Sequence, residues 1–275
     1  MLSPDHQRLL DWLKENGPRL LVAFSGGVDS SLVAAAAHDA LGEDALCVTA
    51  RSPLHPAEEQ ALAAELAQSL GLNHRFVDAG EFELEQVRAN GPDRCYFCKR
   101  RIASHLLELA KGEGLGLVIE GSNADDDPER RPGARALGEL GLRSPLAELG
   151  LGKAEVRSLA EERGLPNWNR PASACLATRI PSGQPLTSHR LRRIEKAEAA
   201  LAQLHLGRQG PLRVRDHGEL ARVELGPKEL QMLHADRLLR ECLIEALHEA
   251  GYPLVSLDLD GFRSVSMDAT DRNTY

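Results

Sequence analysis

The sequence predicts an α/β protein in which a parallel sheet is flanked by helices and followed by a smaller C-terminal α+β domain. Short apolar runs alternate with helical patterns from residue 6 to residue 163. The run Arg19–Phe24 leads directly into Ser-Gly-Gly, as a fully buried parallel strand does. Prolines then interrupt residues 165–190, after which the pattern changes. We therefore expect two domains, residues 1–168 and residues 169–275.

The elements of the first domain follow from local patterns. Leu9, Leu10 and Leu13 share one face of a short helix, and Gly71 and Gly164 each end a helix at a typical C-terminal position. The predicted order is helix 6–14, strand 19–24, helix 29–41, strand 45–50, helix 56–70, strand 74–77, helix 98–111, strand 115–120 and helix 153–163.

The second domain has a mixed pattern. Two strand-like runs, 212–215 and 220–225, are joined by Asp216-His217-Gly218-Glu219, which is typical of a hairpin turn. The remaining predicted elements are helices 188–204, 227–235 and 236–250 and a strand at 254–259.

Composition argues against several classes of partner. The formal charge is −8 and aromatic residues make up 4%, so the chain lacks the basic surface and stacking rings of a nucleic-acid-binding protein. No run reaches the roughly 20 apolar residues that span a bilayer. The first residues lack the apolar core of a signal peptide. We therefore expect no nucleic acid, no membrane and a cytoplasmic location, where five cysteines do not form structural disulfides.

The segment after the first strand, Ser25-Gly26-Gly27-Val28-Asp29-Ser30, predicts a phosphate-binding loop. Its glycines allow close approach of an anion, the following helix offers free N–H groups, and the serines add hydroxyl donors. A carboxylate beside phosphates needs a cation, so Asp29 indicates Mg²⁺ and a nucleotide such as ATP. A plain tight turn with a serine cap is the alternative.

Polar residues also follow the fourth predicted strand. Asn123 and Asp125 lie at the carboxyl edge of the sheet, where open α/β folds bind ligands, so both are candidates for contacts with ATP or metal. The alternative is a solvated loop whose carboxylates cap helices.

Three cysteines are candidates for sulfur or metal chemistry. Cys95 and Cys98 have Cys-x-x-Cys spacing, and Cys175 lies between proline-rich segments with Arg170 and Arg179 on either side. Nearby positive charge favours a thiolate. Three thiolates suit a [4Fe–4S] cluster with one exposed iron. Zinc with a histidine as fourth ligand, or ordinary thiols, are the alternatives. Cys47 and Cys242 are expected to pack in the core.

Arginines on the predicted hairpin are candidates for anion binding. Arg213 and Arg215 alternate along one strand and so face the same side, which suits a phosphate or carboxylate. Salt bridges on a solvated strand face are the alternative. Further candidates for contacts with substrate or a divalent ion are Arg263, Glu224 and either Glu195 or Glu198.

These segments together support a resemblance. The hexapeptide resembles the PP-loop of the ATP pyrophosphatases, which are adenine-nucleotide α-hydrolase-like folds. The combination of LVAFSGGVDSSLVA, DRCYFCK, IEGSNADD, RPASACLATRIP, LRVRDHGELARVEL and LDLDGFRSVSM resembles the LarE family from about residue 5 to residue 268.

The resemblance implies an ATP-dependent sulfurtransferase. Family members adenylate a carboxylate of pyridinium-3,5-biscarboxylic acid mononucleotide and form a thiocarboxylate for the nickel-pincer cofactor of lactate racemase. It implies catalytic roles for Asp29 and Cys175 and phosphate binding by Arg213, Arg215 and Arg263. Some members sacrifice a cysteine sulfur, whereas others hold a [4Fe–4S] cluster on three cysteines. The presence of Cys95, Cys98 and Cys175 favours the cluster, which needs a sulfide donor. Family members assemble as hexamers.

Three other functions fit parts of the sequence. A tRNA-thiolating enzyme shares the loop and cysteines but not the acidic, aromatic-poor composition. An ammonia-using ligase leaves the three cysteines without a role. A non-catalytic nucleotide sensor would bind ATP without releasing pyrophosphate.

Overall fold

The computed structural model describes residues 3–127, 131–171, 173–208 and 210–263. Contacts within the chain divide it into two compact units, one of residues 1–87 with 93–173 and one of residues 88–92 with 174–275. The domain boundary after residue 168 stays a prediction. No helix in the described ranges is long and apolar enough to cross a membrane.

The first unit contains a four-stranded sheet in the order β3-β2-β1-β4, with every pair parallel. The predicted α/β class with a parallel sheet is therefore confirmed. The central strand β1 leads into the glycine loop, and β4, its neighbour, leads into the segment of Asn123. The strands are β1 (Leu20–Ala23), β2 (Ala45–Arg51), β3 (Asn73–Asp78) and β4 (Leu117–Ile119).

Helices cover both faces of this sheet. One core joins the sheet to α1, α2, α3 and α8, and includes Leu9, Leu32 and Val156. The other joins it to α5 through Ala103 and Leu106. The helices up to residue 162 are α1 (Pro4–Asn16), α2 (Val28–Leu41), α3 (Ala57–Ser69), α4 (Glu85–Arg88), α5 (Arg94–Gly112), α6 (Pro132–Glu139), α7 (Pro145–Glu148) and α8 (Lys153–Glu162).

Two features of these helices differ from the sequence prediction. Helix α5 begins at Arg94 rather than at Cys98, so Cys95 lies inside the helix instead of before it. The short helices α4, α6 and α7 were not predicted. Helices α6 and α7 begin at Pro132 and Pro145, and proline suits the first helical position because its missing N–H would have no partner there.

The second unit contains a three-stranded sheet in the order β5-β6-β7, so its predicted α+β character is confirmed. Strands β5 and β6 form an antiparallel hairpin, whose turn is only Gly218 and Glu219 because the pairing extends to His217 and Leu220. The elements are α9 (Ser188–Gln203), β5 (Leu212–His217), β6 (Leu220–Leu225), α10 (Pro227–Ala235), α11 (Arg237–Glu249) and β7 (Leu254–Leu257).

The segment 88–92 belongs to the second unit although it lies between parts of the first in sequence. Asn90 is fully buried and has a positive φ of 56°. Its backbone carbonyl accepts a hydrogen bond from Gly183 N at 2.8 Å, and its Nδ2 donates to the Pro181 carbonyl at 3.0 Å. The carbonyl of Arg88 accepts from Leu186 N at 2.8 Å. These contacts fix the chain around residues 180–186.

A buried carboxylate connects β5 to the helices of this unit. Asp216 is 0% exposed and accepts hydrogen bonds from Arg190 Nη2 at 2.6 Å and Tyr252 Oη at 3.0 Å, and also from Arg193. Burial by itself would raise the pKa of Asp216, but the bonds from Arg193 and Arg190 outweigh it and lower the pKa below its usual value. The ionised carboxylate therefore stabilises the folded unit.

We expect Asp216→Ala to lower the free energy of unfolding by about 3–5 kcal/mol, because it leaves two arginines without their buried partner. Denaturant unfolding at pH 7 measures this loss. Because the folded-state pKa is lowered, the stabilisation is present above about pH 4, the unfolded-state pKa, and is lost as the pH falls further. The control is Glu241→Ala, which breaks the exposed Arg237–Glu241 pair and should change stability by less than about 1 kcal/mol. Equal losses in both variants would contradict the prediction.

Candidate nucleotide and sulfur sites

The predicted phosphate loop lies between β1 and α2. Gly26 has a φ of 76°, and a Cβ added there would lie 2.8 Å from Ala63 Cβ, so both conformation and space require glycine. Ser25 Oγ and Ser30 Oγ are 3.0 Å apart and fix the turn. Gly27 precedes α2, and among the described residues no side chain caps this helix. Its first N–H groups are thus available to an anion.

Asp29 lies in the first turn of α2, and the structure brings it together with Asn123. Asn123 Nδ2 donates to Asp29 Oδ1 at 3.3 Å. Lys153 Nζ lies 2.5 Å from Asp29 Oδ2, a contact that sequence reasoning missed. A lysine in the first turn of a helix opposes the helix dipole, and this mismatch at the start of α8 was the available signal.

Asp125 contacts the start of α8. Its Oδ2 accepts from Lys153 N at 2.7 Å, and its backbone N donates to Asn123 Oδ1 at 2.9 Å. These are the capping contacts of the alternative interpretation. A direct contact of Asp125 with ATP or metal stays a prediction.

Two further residues that sequence reasoning missed shape the loop. A Cβ on Gly121, just after β4, would lie 2.7 Å from Ser30 N. Asn167 Nδ2 donates to the Gly26 carbonyl at 2.9 Å and to Ser31 Oγ at 3.0 Å. Gly121 had a signal in its position directly after a strand, whereas Asn167 had none.

Cys95 and Cys98 lie three residues apart near the start of α5 and therefore share a helix face. Arg94 Nη2 is 3.5 Å from Cys95 Sγ, so positive charge accompanies this thiol. Both cysteines belong to the first unit and Cys175 to the second. The described ranges contain no arrangement of three or more His, Cys, Asp or Glu side chains that could hold a metal ion. The metal role of the three cysteines stays a prediction.

The other cysteines differ in burial. Cys47 is fully buried in β2, as predicted, and desolvation raises the pKa of its thiol to about 12. Cys242, on α11, is only partly buried, because this position lies toward the edge of the helix face that packs on the sheet. None of the five cysteines forms a disulfide.

Cys175 directly precedes a single 3-10 turn, Leu176–Arg179. The side chain of Arg179 is 3% exposed, and its Nη1 donates to the carbonyl of Cys175 at 3.1 Å. Its Nε and Nη2 each lie 3.0 Å from an oxygen of Glu198. The predicted candidate Glu198 thus forms a bidentate ion pair with Arg179. The sequence alone indicates Arg179 only as a positive charge near Cys175.

The predicted arginines lie on the sheet face opposite Asp216. Arg215 is buried and pairs with Glu224 at 2.7 Å, and its Nη1 donates to the Thr178 carbonyl at 2.8 Å. Arg222 also pairs with Glu224, at 3.0 Å. The face is therefore ionic, and its carboxylates are held by guanidinium groups.

Arg213 differs from these neighbours because it pairs with no carboxylate in the described part of the chain. Its guanidinium donates to the carbonyl of Leu212 and lies 5.4 Å from the Phe262 ring centroid. Burial and the positive charge of Arg179 lower the pKa of Arg213. Arg263 is half exposed and lies 3.1 Å from Asp260. Arg213 is accordingly a candidate for binding an anion from outside the chain, whereas Arg215 and Arg222 are paired with Glu224.

Comparison with known proteins identifies the family. The chain is 37% identical over 255 residues to pyridinium-3,5-bisthiocarboxylic acid mononucleotide synthase of Lactiplantibacillus plantarum, covering 92% of this chain and 90% of that protein. The chain belongs to the LarE family. An uncharacterized Synechocystis protein is 42% identical over 246 residues, covering 90% of each chain. The resemblance inferred from sequence motifs is thus confirmed.

A family model also matches the part of this LarE family member that contains the glycine loop. Residues 16–125 match the asparagine synthase family. GMP synthase of Aeropyrum pernix is 33% identical over 211 residues, covering 69% of this chain but only 40% of that protein. The glycine loop and the strands around it therefore resemble those of the asparagine synthase family.

We expect Gly121→Ala to lower the free energy of unfolding by about 1–3 kcal/mol, because the added methyl group meets the backbone of α2. Nucleotide affinity should fall with it, since Ser30 must shift. Gly116→Ala is the matched control, because a Cβ there meets nothing within 4 Å. The free energy of unfolding of that variant should rise by about 0.4–1 kcal/mol, because alanine leaves the unfolded chain fewer conformations than glycine does. Thermal unfolding and calorimetric ATP titration measure both variants, and unchanged stability and affinity in Gly121→Ala would refute the steric argument.

Proposed function

We propose that this protein is an ATP-dependent sulfurtransferase that converts a carboxylate of pyridinium-3,5-biscarboxylic acid mononucleotide into a thiocarboxylate. The observation that carries the proposal is the 37% identity, over 92% of the chain, to a protein named as the synthase of the corresponding bisthiocarboxylic acid. The product of that name differs from the dicarboxylic acid by sulfur in place of oxygen, which requires an activated carboxylate and a sulfur nucleophile.

The phosphate loop supplies the activation. Ser25, Gly26, Gly27 and Ser30 would receive the ATP phosphates, supported by the uncapped first turn of α2 and the space that glycine leaves. A carboxylate oxygen of the substrate attacks the α-phosphorus, the bond to the bridging oxygen breaks, and pyrophosphate leaves. The product of this step is an acyl adenylate.

Asp29 would hold Mg²⁺ in this reaction, with Asn123 and Asp125 nearby. The fit is supported by oxygen donors of the type that Mg²⁺ prefers. The ammonium group of Lys153, 2.5 Å from Asp29 Oδ2, would have to release or share that carboxylate when the ion binds. When bound, Mg²⁺ supplies positive charge that stabilises the departing pyrophosphate. Lys153 would contribute to the same neutralisation.

The ionic face of the second unit would bind the substrate. Arg213 has no carboxylate partner among the described residues and is desolvated, so an anion gains more there than in water. Arg263 is half exposed and offers a second cation for the phosphate or the free carboxylate. Arg215, Glu224 and Glu198 complete this charged face and are the remaining predicted substrate residues.

Cys95, Cys98 and Cys175 would hold a [4Fe–4S] cluster, which supplies an exchangeable sulfide when bound. The support is the chemistry of the donor set, three thiols of which two share a helix face, and the guanidinium group beside Cys95. The thiocarboxylate would form when sulfur at the oxidation level of sulfide displaces AMP, which would leave with the electron pair of the carbon–oxygen bond. An external sulfide donor restores the sulfur.

The resemblance also supports the biological setting of the proposal. The product would enter nickel-pincer cofactor biosynthesis and lactate racemase maturation, in the cytoplasm. The expected partners are the nucleotide substrate and a sulfur donor, without nucleic acid or membrane. A homo-oligomer, a hexamer by resemblance, is the expected assembly.

We expect the wild-type protein, incubated with ATP, substrate and sulfide, to release pyrophosphate and form a product whose mass shows sulfur in place of oxygen. Cys175→Ala should still release pyrophosphate but form no thiocarboxylate, because only the sulfur step needs this thiol. Cys242→Ala is the control and should react as the wild type does, since Cys242 lies on α11 and is not among the three cysteines proposed to act in sulfur transfer. A wild type that consumes no ATP, or a Cys175→Ala variant that transfers sulfur, would overturn the proposal.

We further expect protein purified without oxygen to be brown and to contain about four irons per chain. Cys95→Ala and Cys98→Ala should each lose most of this iron, whereas Cys47→Ala should keep it. Iron analysis and absorption spectroscopy measure the difference. Iron-free protein in which Cys175 loses one sulfur mass after a single turnover would instead establish the sacrificial route.

A further inference from the structure

The backbone around Cys175 is held by one buried guanidinium group. Arg179 Nη1 donates to the carbonyl of Ala174 at 2.6 Å, to the carbonyl of Cys175 at 3.1 Å and to Thr178 Oγ1 at 3.1 Å. The opposite side of the same group, Nε and Nη2, binds both oxygens of Glu198. A planar fork with five N–H donors is required for this arrangement, which lysine cannot reproduce.

The partner of Arg179 is itself anchored to the sheet. Glu198 Oε1 accepts from the backbone N of Val214 in β5 at 2.9 Å. Arg215, also in β5, donates to the Thr178 carbonyl at 2.8 Å and pairs with Glu224. The turn that follows Cys175 is therefore attached to β5 through two arginines, and each arginine is fixed by a glutamate.

This arrangement exceeds what stability alone requires. Burying a guanidinium and a carboxylate costs desolvation that a well-packed apolar pair would avoid, so such pairs are weak contributors to stability. Their geometry is nevertheless specific, because the donors converge on carbonyls of the residues that carry and precede the thiol. Sulfur transfer depends on that precision, since a reacting atom must be held close to its target.

We propose that Arg179 is a positioning residue for sulfur transfer, which fixes the backbone of Cys175 while Glu198 fixes Arg179. The proposal rests on the proposed function, since it concerns the same Cys175. Arg179 is 3% exposed and its described donors are engaged within the protein, so it acts through Cys175 rather than by touching substrate. Glu198 and Arg215, proposed above as part of the substrate-binding face, also hold this turn, through Arg179 and through the Thr178 carbonyl.

The test compares Arg179→Met, Arg179→Lys and Glu198→Gln with the wild type, and Arg190→Met is the matched control. Arg190 is likewise an arginine of this unit paired with a buried carboxylate, Asp216, but its described contacts do not include the turn after Cys175. Pyrophosphate release, thiocarboxylate formation and KM for the substrate are measured separately. Hydrogen exchange of the backbone amides of residues 174–180 is followed by mass spectrometry.

We expect Arg179→Met to slow thiocarboxylate formation by about 100-fold, the loss that a misplacement of about 1 Å causes. Pyrophosphate release and KM should stay within about twofold of the wild type. Slower transfer with an unchanged KM would show that the variant has lost something other than substrate binding. Amide exchange in residues 174–180 should accelerate.

Arg179→Lys should fail in the same way, and Arg190→Met should transfer sulfur normally even with lowered stability. Glu198→Gln, which retains a hydrogen-bonding partner, should lose about tenfold in transfer and tests the proposal if Arg179→Met does not fold.

Normal transfer by Arg179→Met would overturn the proposal, and so would full rescue by Arg179→Lys, which would indicate a simple charge effect. A raised KM with unchanged amide exchange would also overturn it, because Arg179 would then serve substrate binding. If the wild type releases no pyrophosphate, the proposed function fails instead, whereas the exchange of residues 174–180 still reports whether Arg179 holds the turn.

Discussion

The close approach between the end of β4 and the first turn of α2 is the constraint on which the nucleotide site depends. Because β1 and β4 are parallel neighbours, their carboxyl ends meet at one edge of the sheet. Gly121 removes the side chain that would collide with Ser30 N. The chain after Gly121 then places Asn123 beside Asp29 and Asp125 beside the first residue of α8. That first residue is Lys153, whose ammonium group contacts Asp29. One missing methyl group thus permits polar residues from three segments to converge.

The two faces of the sheet in the second unit carry different groups of charged residues. On one face, Asp216 receives hydrogen bonds from two arginines and a tyrosine and connects the sheet to its helices. On the other face, Glu224 binds both Arg215 and Arg222, while Arg213 lacks such a partner among the described residues. Alternation of side chains along β5 produces this difference, since neighbouring residues point to opposite faces. The buried carboxylate that connects the sheet to its helices and the proposed anion-binding arginine Arg213 therefore lie on different sides of β5.

The sequence predicted the parallel sheet and the glycine loop well, because both depend on local signals: buried apolar runs, glycines and the residue types at a helix start. It predicted which side chains carry charge but not how they pair. Glu198 and Arg179 are 19 residues apart and Asp29 and Lys153 are 124 apart, and no periodicity within one element links such positions. The start of α5 was also misplaced, since the helix begins at Arg94, four residues before the predicted start at Cys98. Asn167, which supports the loop through Gly26, stood in an irregular stretch without any pattern to single it out.

The short segment 88–92 has a consequence for how such proteins diversify. Asn90 is fully buried within the second unit and is bound to Pro181 and Gly183, although Pro181 lies 91 positions further along the chain. Recombination that exchanges residues 174–275 between relatives as one block would separate this asparagine from the carbonyls it evolved with. A functional hybrid therefore requires one crossover on each side of residues 88–92 in addition to one near residue 174. Random single-crossover libraries should rarely yield folded chimaeras of these two units.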